Sequence, residues 1–281
     1  MLWTMVIALA VLQGLTEFLP VSSSGHLRLL EAVFGVHEPQ TLFDIFLHVG
    51  SLVAVFIVYR AVFGRMIVAI GRALRRPAGV AEQLRADPDL RLFVFACLAT
   101  IPTAVIALLL DDTFEAMAAH VGVVGGALIV NGFILLLLGS FNGGRLAAFP
   151  EKRRRPLAEI RLADALFIGL AQGVGVIRGI SRSGSTITAA MATGLDRDAA
   201  ATFSFVLAVP AILGALVMKL RGTALASDAL AHAIVGAVVA AVVGTAALLL
   251  LLRLLRGGRL HHFAWYCFAL GVAAIAWELA S

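Results

Sequence analysis

The chain has 281 residues, of which 61% are hydrophobic and 14% charged, and a formal net charge of +5. A soluble domain carries about 25% charged residues, and here stretches of roughly 20 apolar residues, enough to cross a hydrocarbon core about 30 Å thick, recur from end to end. A soluble protein is thereby excluded, and so is a separate soluble domain, the longest polar stretch being Arg72 to Arg91.

In chain order, the region of about 1–36 is apolar at both ends and broken in the middle by Pro20-Val-Ser-Ser-Ser-Gly25. Residues Leu2 to Leu12 lack a basic leader and a small-residue cleavage site, so they read as part of the mature fold. Full spans follow at about 42–60, 91–110 and 121–141. A second broken region, about 163–195, is interrupted by Gly179-Ile-Ser-Arg-Ser-Gly184. Three more spans, about 199–219, 231–253 and 263–280, complete the chain. Proline, glycine and serine clusters interrupt helices by removing backbone donors, relaxing dihedral limits or competing for hydrogen bonds. Non-helical backbone at membrane depth survives only where protein or a wet cavity satisfies it. The expected fold is therefore an all-α polytopic membrane protein: six transmembrane helices plus two broken or re-entrant helical hairpins, in a single domain over 1–281.

Charge supports the hairpins. If each broken region enters and leaves on one side, seventeen of the 22 basic residues collect on one face: Arg60 to Arg91, Arg145 to Arg161, Arg197, and Arg253 to Arg259. The other face keeps Lys219 and Arg221 with the acidic Asp111, Asp112 and Glu115. By the positive-inside rule the crowded face is cytoplasmic. Membrane orientation, not nucleic acid, accounts for the basic balance. The five Trp and Tyr residues (Trp3, Tyr59, Trp265, Tyr266, Trp277) fall near expected interfaces, and Cys97 and Cys267 read as small hydrophobic fillers.

The two breaks match each other. Gln13-Gly-Leu-Thr-Glu-Phe-Leu-Pro-Val-Ser-Ser-Ser-Gly25 and Gln172-Gly-Val-Gly-Val-Ile-Arg-Gly-Ile-Ser-Arg-Ser-Gly184 are identical at five of thirteen positions without a gap. Each half is one hairpin followed by three spans. Three is odd, so the second half enters from the opposite face, an inverted repeat with halves of about 1–141 and 163–281. Such repeats place binding sites at midplane, between paired discontinuous helices.

Of the seventeen acidic residues, only Glu17 sits well within an apolar region. An intramembrane carboxylate costs several kcal/mol unless paired, so it marks function or a structural partner for an arginine. Gln13 lies four residues before it, on one helical face, where the pair could hold a divalent ion, a water or a substrate hydroxyl. His26 follows the break, three residues after Ser23, and an imidazole there can act as acid, base or phosphoryl acceptor. His48 reads as a packing residue with one hydrogen bond. The second break supplies Ser181, Arg182, Ser183, Ser185 and Thr186 at a helix start, an anion site in which Arg182 can grip a phosphate bidentately. A carboxylate, a histidine and serines on one loop with an anion clamp on the other suit phosphoryl transfer. A site inside the bilayer implies a lipid-bodied substrate.

At these loops the chain resembles the undecaprenyl-diphosphate phosphatase family, known for bacitracin resistance, and the resemblance runs essentially end to end. Its specific part is Gln13 to His26 and Gly179-Ile-Ser-Arg-Ser-Gly-Ser-Thr186. The resemblance implies hydrolysis of the terminal phosphate of the C55 lipid carrier diphosphate, recycling the carrier for cell-wall synthesis at the bacterial inner membrane. It places catalytic roles on Glu17, Ser23, His26 and Arg182. Substrate contacts fall on Gln13, Ser22, Ser24, Gly179, Ser181, Ser183, Gly184 and Thr186. It also implies a divalent cation, Mg2+ or Ca2+, at Glu17 and Gln13. The family's second motif opens Pro-Gly, whereas position 178 is Arg, so Arg178 is either a further phosphate ligand or a partner for a carboxylate. Whether Ser23, His26 or water attacks stays open, as does the oligomeric state, a homodimer being one assembly the chain permits. The rival reading is a lipid-phosphate or anion transporter or flippase on the same inverted-repeat scaffold, since architecture alone does not decide function.

Overall fold

The computed structural model describes residues 2–35, 41–76, 79–141, 154–220 and 227–280. Arg145, Lys152, Arg153 and Arg221 of the expected loop charges lie outside them. The first broken region is a hairpin of α1 (Trp3–Phe18) and α2 (Ser23–Val33). Pro20 cannot continue a helix, and Ser22 takes φ +70°, the one positive φ at a non-glycine position among the described residues. Its hydroxyl caps α2 by accepting from the Gly25 N–H at 3.2 Å.

The second broken region is built the same way from α8 (Leu162–Val174) and α9 (Arg182–Ala192). Gly179 supplies the left-handed turn at φ +107°, and the Ser181 hydroxyl caps α9 from the Gly184 N–H at 3.1 Å. Both short helices have eleven residues. Each starts one position after a serine cap, and Ser22 stands to Ser181 as Gln13 stands to Gln172. Serine caps of this kind satisfy donors that a helix start otherwise leaves unpaired.

The remaining helices are α3 (Thr41–Val58), α4 (Arg60–Arg75), α5 (Val80–Ala86), α6 (Pro88–Ala118), α7 (Val121–Ser140), α10 (Arg197–Leu220), α11 (Ser227–Arg256) and α12 (Phe263–Ala280). Among the described residues, five segments are long and apolar enough to cross a membrane: Pro88–Ala118, Val121–Ser140, Arg197–Met218, Leu230–Arg256 and Leu260–Ala280. A sixth qualifies only when α3 is taken together with α4, to which it is bent by 83°. The chain is an all-α polytopic membrane protein.

One departure from expectation lies in α4. The sequence reading ran a span to residue 60 and treated Arg60 to Arg91 as a polar loop. The chain instead turns at Tyr59 into a sixteen-residue helix with Met66, Ala69 and Ala73 buried, packed on α6. Those positions recur at helical spacing, but Arg72 among them and the arginines on either side mask the stripe. Arg65 pairs with Asp89 and Arg72 with Asp87, each at 3.2 Å. Arg60 donates to the Ile57 carbonyl across the bend.

Packing repeats between the halves. Helix α1 lies on α11 and α8 lies on α6, each at a glycine that admits the neighbour. A Cβ on Gly14 would fall 2.9 Å from Val243 Cβ, and one on Gly173 would fall 2.4 Å from Ile106 Cδ1. Helices α7 and α12 cross where a Cβ on either Gly125 or Gly271 would lie 2.6 Å from the other's carbonyl oxygen. Lipid supplies little driving force for helix association, so such close approach through small residues holds the bundle. Because the opposing atom is backbone, no rotamer relieves the clash. Gly125→Val is expected to cost about 1–3 kcal/mol and to lower the melting temperature in detergent by on the order of 5 °C. Gly126→Val, at a position with nothing within 4 Å, should leave it nearly unchanged. Intrinsic-fluorescence melts of the two variants make the check.

Candidate active site at the two helix breaks

Glu17 occupies the last turn of α1 with 7% of its surface exposed. The Ser23 hydroxyl donates to its Oε2 at 2.5 Å, and Gln13 Nε2 donates to the same oxygen at 3.1 Å. Arg182 Nη2 donates to Oε1 at 2.5 Å, closing an ion pair. Ser23 and Arg182 are the first residues of α2 and α9. They stand at equivalent positions in the two breaks, and the fold brings both to one carboxylate.

Two atoms at this centre are left over. Arg182 Nη1 and Gln13 Oε1 are buried without a hydrogen-bond partner. A buried guanidinium N–H without an acceptor is costly, so the centre is a donor set with an anion-sized demand unmet.

The breaks interlock. Ser22 Oγ accepts from the Gly179 N–H at 3.1 Å, and the Ser183 hydroxyl donates to the Phe18 carbonyl at 3.1 Å. Asn131, near the middle of α7, donates to the Pro20 carbonyl and accepts from the Ser181 N–H, both at 2.9 Å. A Cβ on Gly25 would come within 3.0 Å of Gly179 Cα, and one on Gly184 within 3.3 Å of Pro20 Cβ. Thus Gly25 of the first loop faces Gly179 of the second, while Gly184 faces Pro20, the position equivalent to Gly179.

The sequence-predicted residues divide accordingly. Gln13, Glu17, Ser23 and Arg182 form one bonded cluster. Ser22, Ser181 and Ser183 spend their hydroxyls on the two breaks themselves, and Thr186 spends its own within α9 and on α10. Thr186 donates to the Arg182 carbonyl at 2.9 Å and pairs with Ser204 at 2.5 Å. Ser24 meets Ser22 at 3.4 Å. Gly179 and Gly184 shape the turns. Arg178 is half-buried, and together with Arg28 it acts electrostatically on the buried Glu31.

His26 stands apart from the cluster: its Nδ1 meets the Ser22 carbonyl at 2.8 Å and its Nε2 meets the Tyr266 hydroxyl at 2.7 Å. Ser23 therefore has the Glu17 carboxylate, not the imidazole, as its hydrogen-bonded base.

Four contributors escaped sequence reasoning. His48 makes the one hydrogen bond expected of it, Nδ1 to the Asp44 carbonyl at 2.8 Å, and in addition brings Nε2 to 3.8 Å from Glu17 Oε2. Ser51 accepts from Gln13 at 3.4 Å, Asn131 joins the loops, and Tyr266 holds His26. Asn131 carried a usable signal, being a lone amide in a long apolar run. The others depend on which faces of α3 and α12 turn inward, and no local pattern states that.

Divalent cations take six or more oxygen ligands. Among the described residues there is no group of three or more His, Cys, Asp and Glu side chains that could hold a metal ion. The Glu17 carboxylate and the unpartnered Gln13 Oε1 make a two-oxygen set. Both Glu17 oxygens already accept from donors, so this set falls short of a Mg2+ or Ca2+ shell by itself and substrate phosphates would have to complete it.

Residues 6–273 match the family model described as bacitracin resistance protein BacA. Among curated relatives, a protein of Desulforapulum autotrophicum is 40% identical over 276 residues, covering 96% of each chain. One from Carboxydothermus hydrogenoformans is 39% identical over 277 residues, covering 97% of this chain and 96% of the other. One from Methanobrevibacter smithii is 39% identical over 272 residues, covering 95% and 94%. All three are named undecaprenyl-diphosphatase.

Proposed function

Since the chain belongs to the bacitracin resistance protein BacA family, we infer that it is an undecaprenyl-diphosphate phosphatase, releasing the terminal phosphate of the C55 carrier diphosphate to leave undecaprenyl phosphate. The observation that carries the reading is the convergence of Ser23 and Arg182 on Glu17 with Arg182 Nη1 buried and unpaired. A carrier needs only to bind its cargo. A hydroxyl held at 2.5 Å on a carboxylate beside a guanidinium is a nucleophile with its base and its charge clamp.

The roles follow from that geometry. The terminal phosphate docks on Arg182 Nη1, next to Ser23 Oγ. Ser23 attacks phosphorus as its proton passes to Glu17 Oε2, and the bond from phosphorus to the bridging oxygen breaks, its electron pair leaving with undecaprenyl phosphate. Water then attacks the phosphoserine, its proton restoring the one that left through His26 and Tyr266, and Ser23 regains its own from Glu17 as the bond from phosphorus to Ser23 Oγ breaks and phosphate departs. His26 lies one turn along α2 from Ser23, and its Nε2 can serve the leaving oxygen only through the Tyr266 hydroxyl bonded to it. Gln13 orients Glu17. Held by Glu17 and Gln13 Oε1, a magnesium or calcium ion would offset diphosphate charge.

The direct test is phosphate release from undecaprenyl diphosphate by the purified protein in detergent, with and without a divalent ion. No release under either condition would sink the assignment. Ser23→Ala should lower kcat by about 100-fold or more while leaving substrate affinity largely intact. Acid quenching during turnover should trap a phosphoserine at residue 23. A phosphohistidine at 26 would move the attack there, and neither adduct would point to water.

The same reading places the chain in the bacterial inner membrane with the arginine-rich loops in the cytoplasm, and treats 1–141 and 163–281 as an inverted repeat. The matched caps, the matched glycine contacts and the shared carboxylate support the repeat. Cysteines introduced at the exposed Arg76 and Arg259 should resist impermeant thiol reagents in intact cells, whereas one at the exposed Asp112 should be labelled. The exposed Cys97 must first be removed. The inverse labelling pattern would reverse the orientation.

A further inference from the structure

Tyr266 lies in the first turn of α12, far from either loop in sequence, yet its hydroxyl is 2.7 Å from His26 Nε2. The two rings stack, with centroids 5.6 Å apart and planes 9° from parallel. The other ring nitrogen, Nδ1, faces the Ser22 carbonyl at 2.8 Å. A carbonyl only accepts, so Nδ1 carries a proton in either charge state of the ring. Nε2 is then the nitrogen free to exchange a proton, and Tyr266 is the group bonded to it.

The placement of Tyr266 is firm. Its neighbour Cys267 is fully buried and accepts from Asn131 Nδ2 at 3.3 Å. The same amide nitrogen donates to the Pro20 carbonyl, and the Asn131 oxygen takes the Ser181 N–H. One residue further on, the Phe268 ring fills the space a Cβ on Gly132 would need. Helix α12 is thus keyed to α7 and, through Asn131, to both helix breaks. Tyr266 itself is 47% exposed, whereas His26 is 6% exposed. The phenol therefore stands between the buried imidazole and the outside of the fold.

We propose that Tyr266 is a further catalytic residue for the phosphatase reaction: its hydroxyl gives its proton to the leaving oxygen of the lipid phosphate and takes the Nε2 proton of His26 in return. The proposal rests on the phosphatase reading above. A tyrosine hydroxyl suits the task because it both donates and accepts. It donates to Nε2 of the neutral ring and accepts from Nε2–H of the imidazolium, so the ring keeps one orientation through the proton cycle. The Ser22 carbonyl on Nδ1 takes the place that orienting partners hold on working histidines in metal and triad sites.

Tyr266→Phe keeps the stacked ring and removes only the bond. In phosphate release from undecaprenyl diphosphate, kcat should fall about tenfold, with KM within about twofold of the parent. The decisive comparison is a double-mutant cycle. In a His26→Ala background, Tyr266→Phe should cause no further loss, because the nitrogen that returns its proton is gone. A second readout needs no turnover. In protein labelled with 15N-histidine, the Nε2 resonance that disappears in His26→Ala should shift in Tyr266→Phe. Unchanged kcat in Tyr266→Phe, an equal loss in both backgrounds, or an unmoved Nε2 resonance would each overturn the proposal. Parent protein that releases no phosphate would instead overturn the phosphatase reading, and the resonance would still report whether Tyr266 holds His26.

Discussion

Arg182→Lys is expected to lower kcat/KM by roughly 30- to 1000-fold, about 2–4 kcal/mol of transition-state stabilisation, although the charge is kept. The reason lies in how the guanidinium is divided. Nη2 is spent on Glu17 Oε1 at 2.5 Å, while Nη1 stays buried and unpaired on the same rigid plane. A phosphate oxygen meeting Nη1 completes the fork without disturbing the carboxylate. Lysine offers one ammonium on a flexible stem and must choose between the two. If it stays on Glu17 the phosphate loses its clamp, and if it follows the phosphate Glu17 is left buried with less compensation. Steady-state phosphate release with the folded variant measures the loss. A nearly silent substitution in both kcat and KM would remove the second loop from phosphate binding and leave the assignment on the first loop alone.

Glu17→Gln should be more damaging still, with kcat down by on the order of 1000-fold. The side chain keeps its shape but loses both charge and basicity. Three donors now point at the carboxylate, from Ser23, Arg182 and Gln13. An amide in its place presents one oxygen and one NH2 group, so at least one of the three meets a donor instead of an acceptor. Ser23 loses the group that takes its proton, and Arg182 becomes a buried cation without its counter-charge, a change that typically costs 3–5 kcal/mol. Any stimulation by a divalent ion should fall away with it, since Glu17 is the charged group proposed to hold that ion. Activity within tenfold of the parent would shift the base to another group, His48 being nearest at 3.8 Å.

Much of this centre was legible because its chemistry is compressed into two short segments. Helix breaks are written in proline, glycine and serine, and the breaks at Pro20 and Gly179 gave away both hairpins. The repeat then carried the argument across 159 positions. Ser23 and Arg182 are equivalent, and an inverted arrangement predicts that equivalent positions near the axis meet. They do meet, on Glu17.

What the sequence withheld is of a different kind. It placed His26 with Ser23 and Glu17 because the three are near in sequence, whereas the fold turns the imidazole toward Tyr266, 240 positions away. The serine hydroxyls read as ligands for phosphate are consumed in capping and in joining the loops. Neighbouring backbone donors and acceptors compete for a hydroxyl at a helix start, and composition cannot say which wins. Helix α4 was missed because five arginines from Arg60 to Arg76 outweighed a three-residue apolar stripe.

The amide of Asn131 reaches across both interrupted helices, holding the Pro20 carbonyl with one end and the Ser181 N–H with the other. Together with the bonds from Gly179 to Ser22 and from Ser183 to Phe18, this makes three links between the loops, two direct bonds and one amide bridge. At about 1 kcal/mol net per link, the unstitched state is populated in fewer than about one molecule in a hundred. Mechanically the two tips are one part. A pump that worked by swinging one half of the molecule past the other would have to shear that seam on every cycle. A hydrolase gains by keeping it shut, since the geometry at Glu17 then survives each arrival and departure of the lipid.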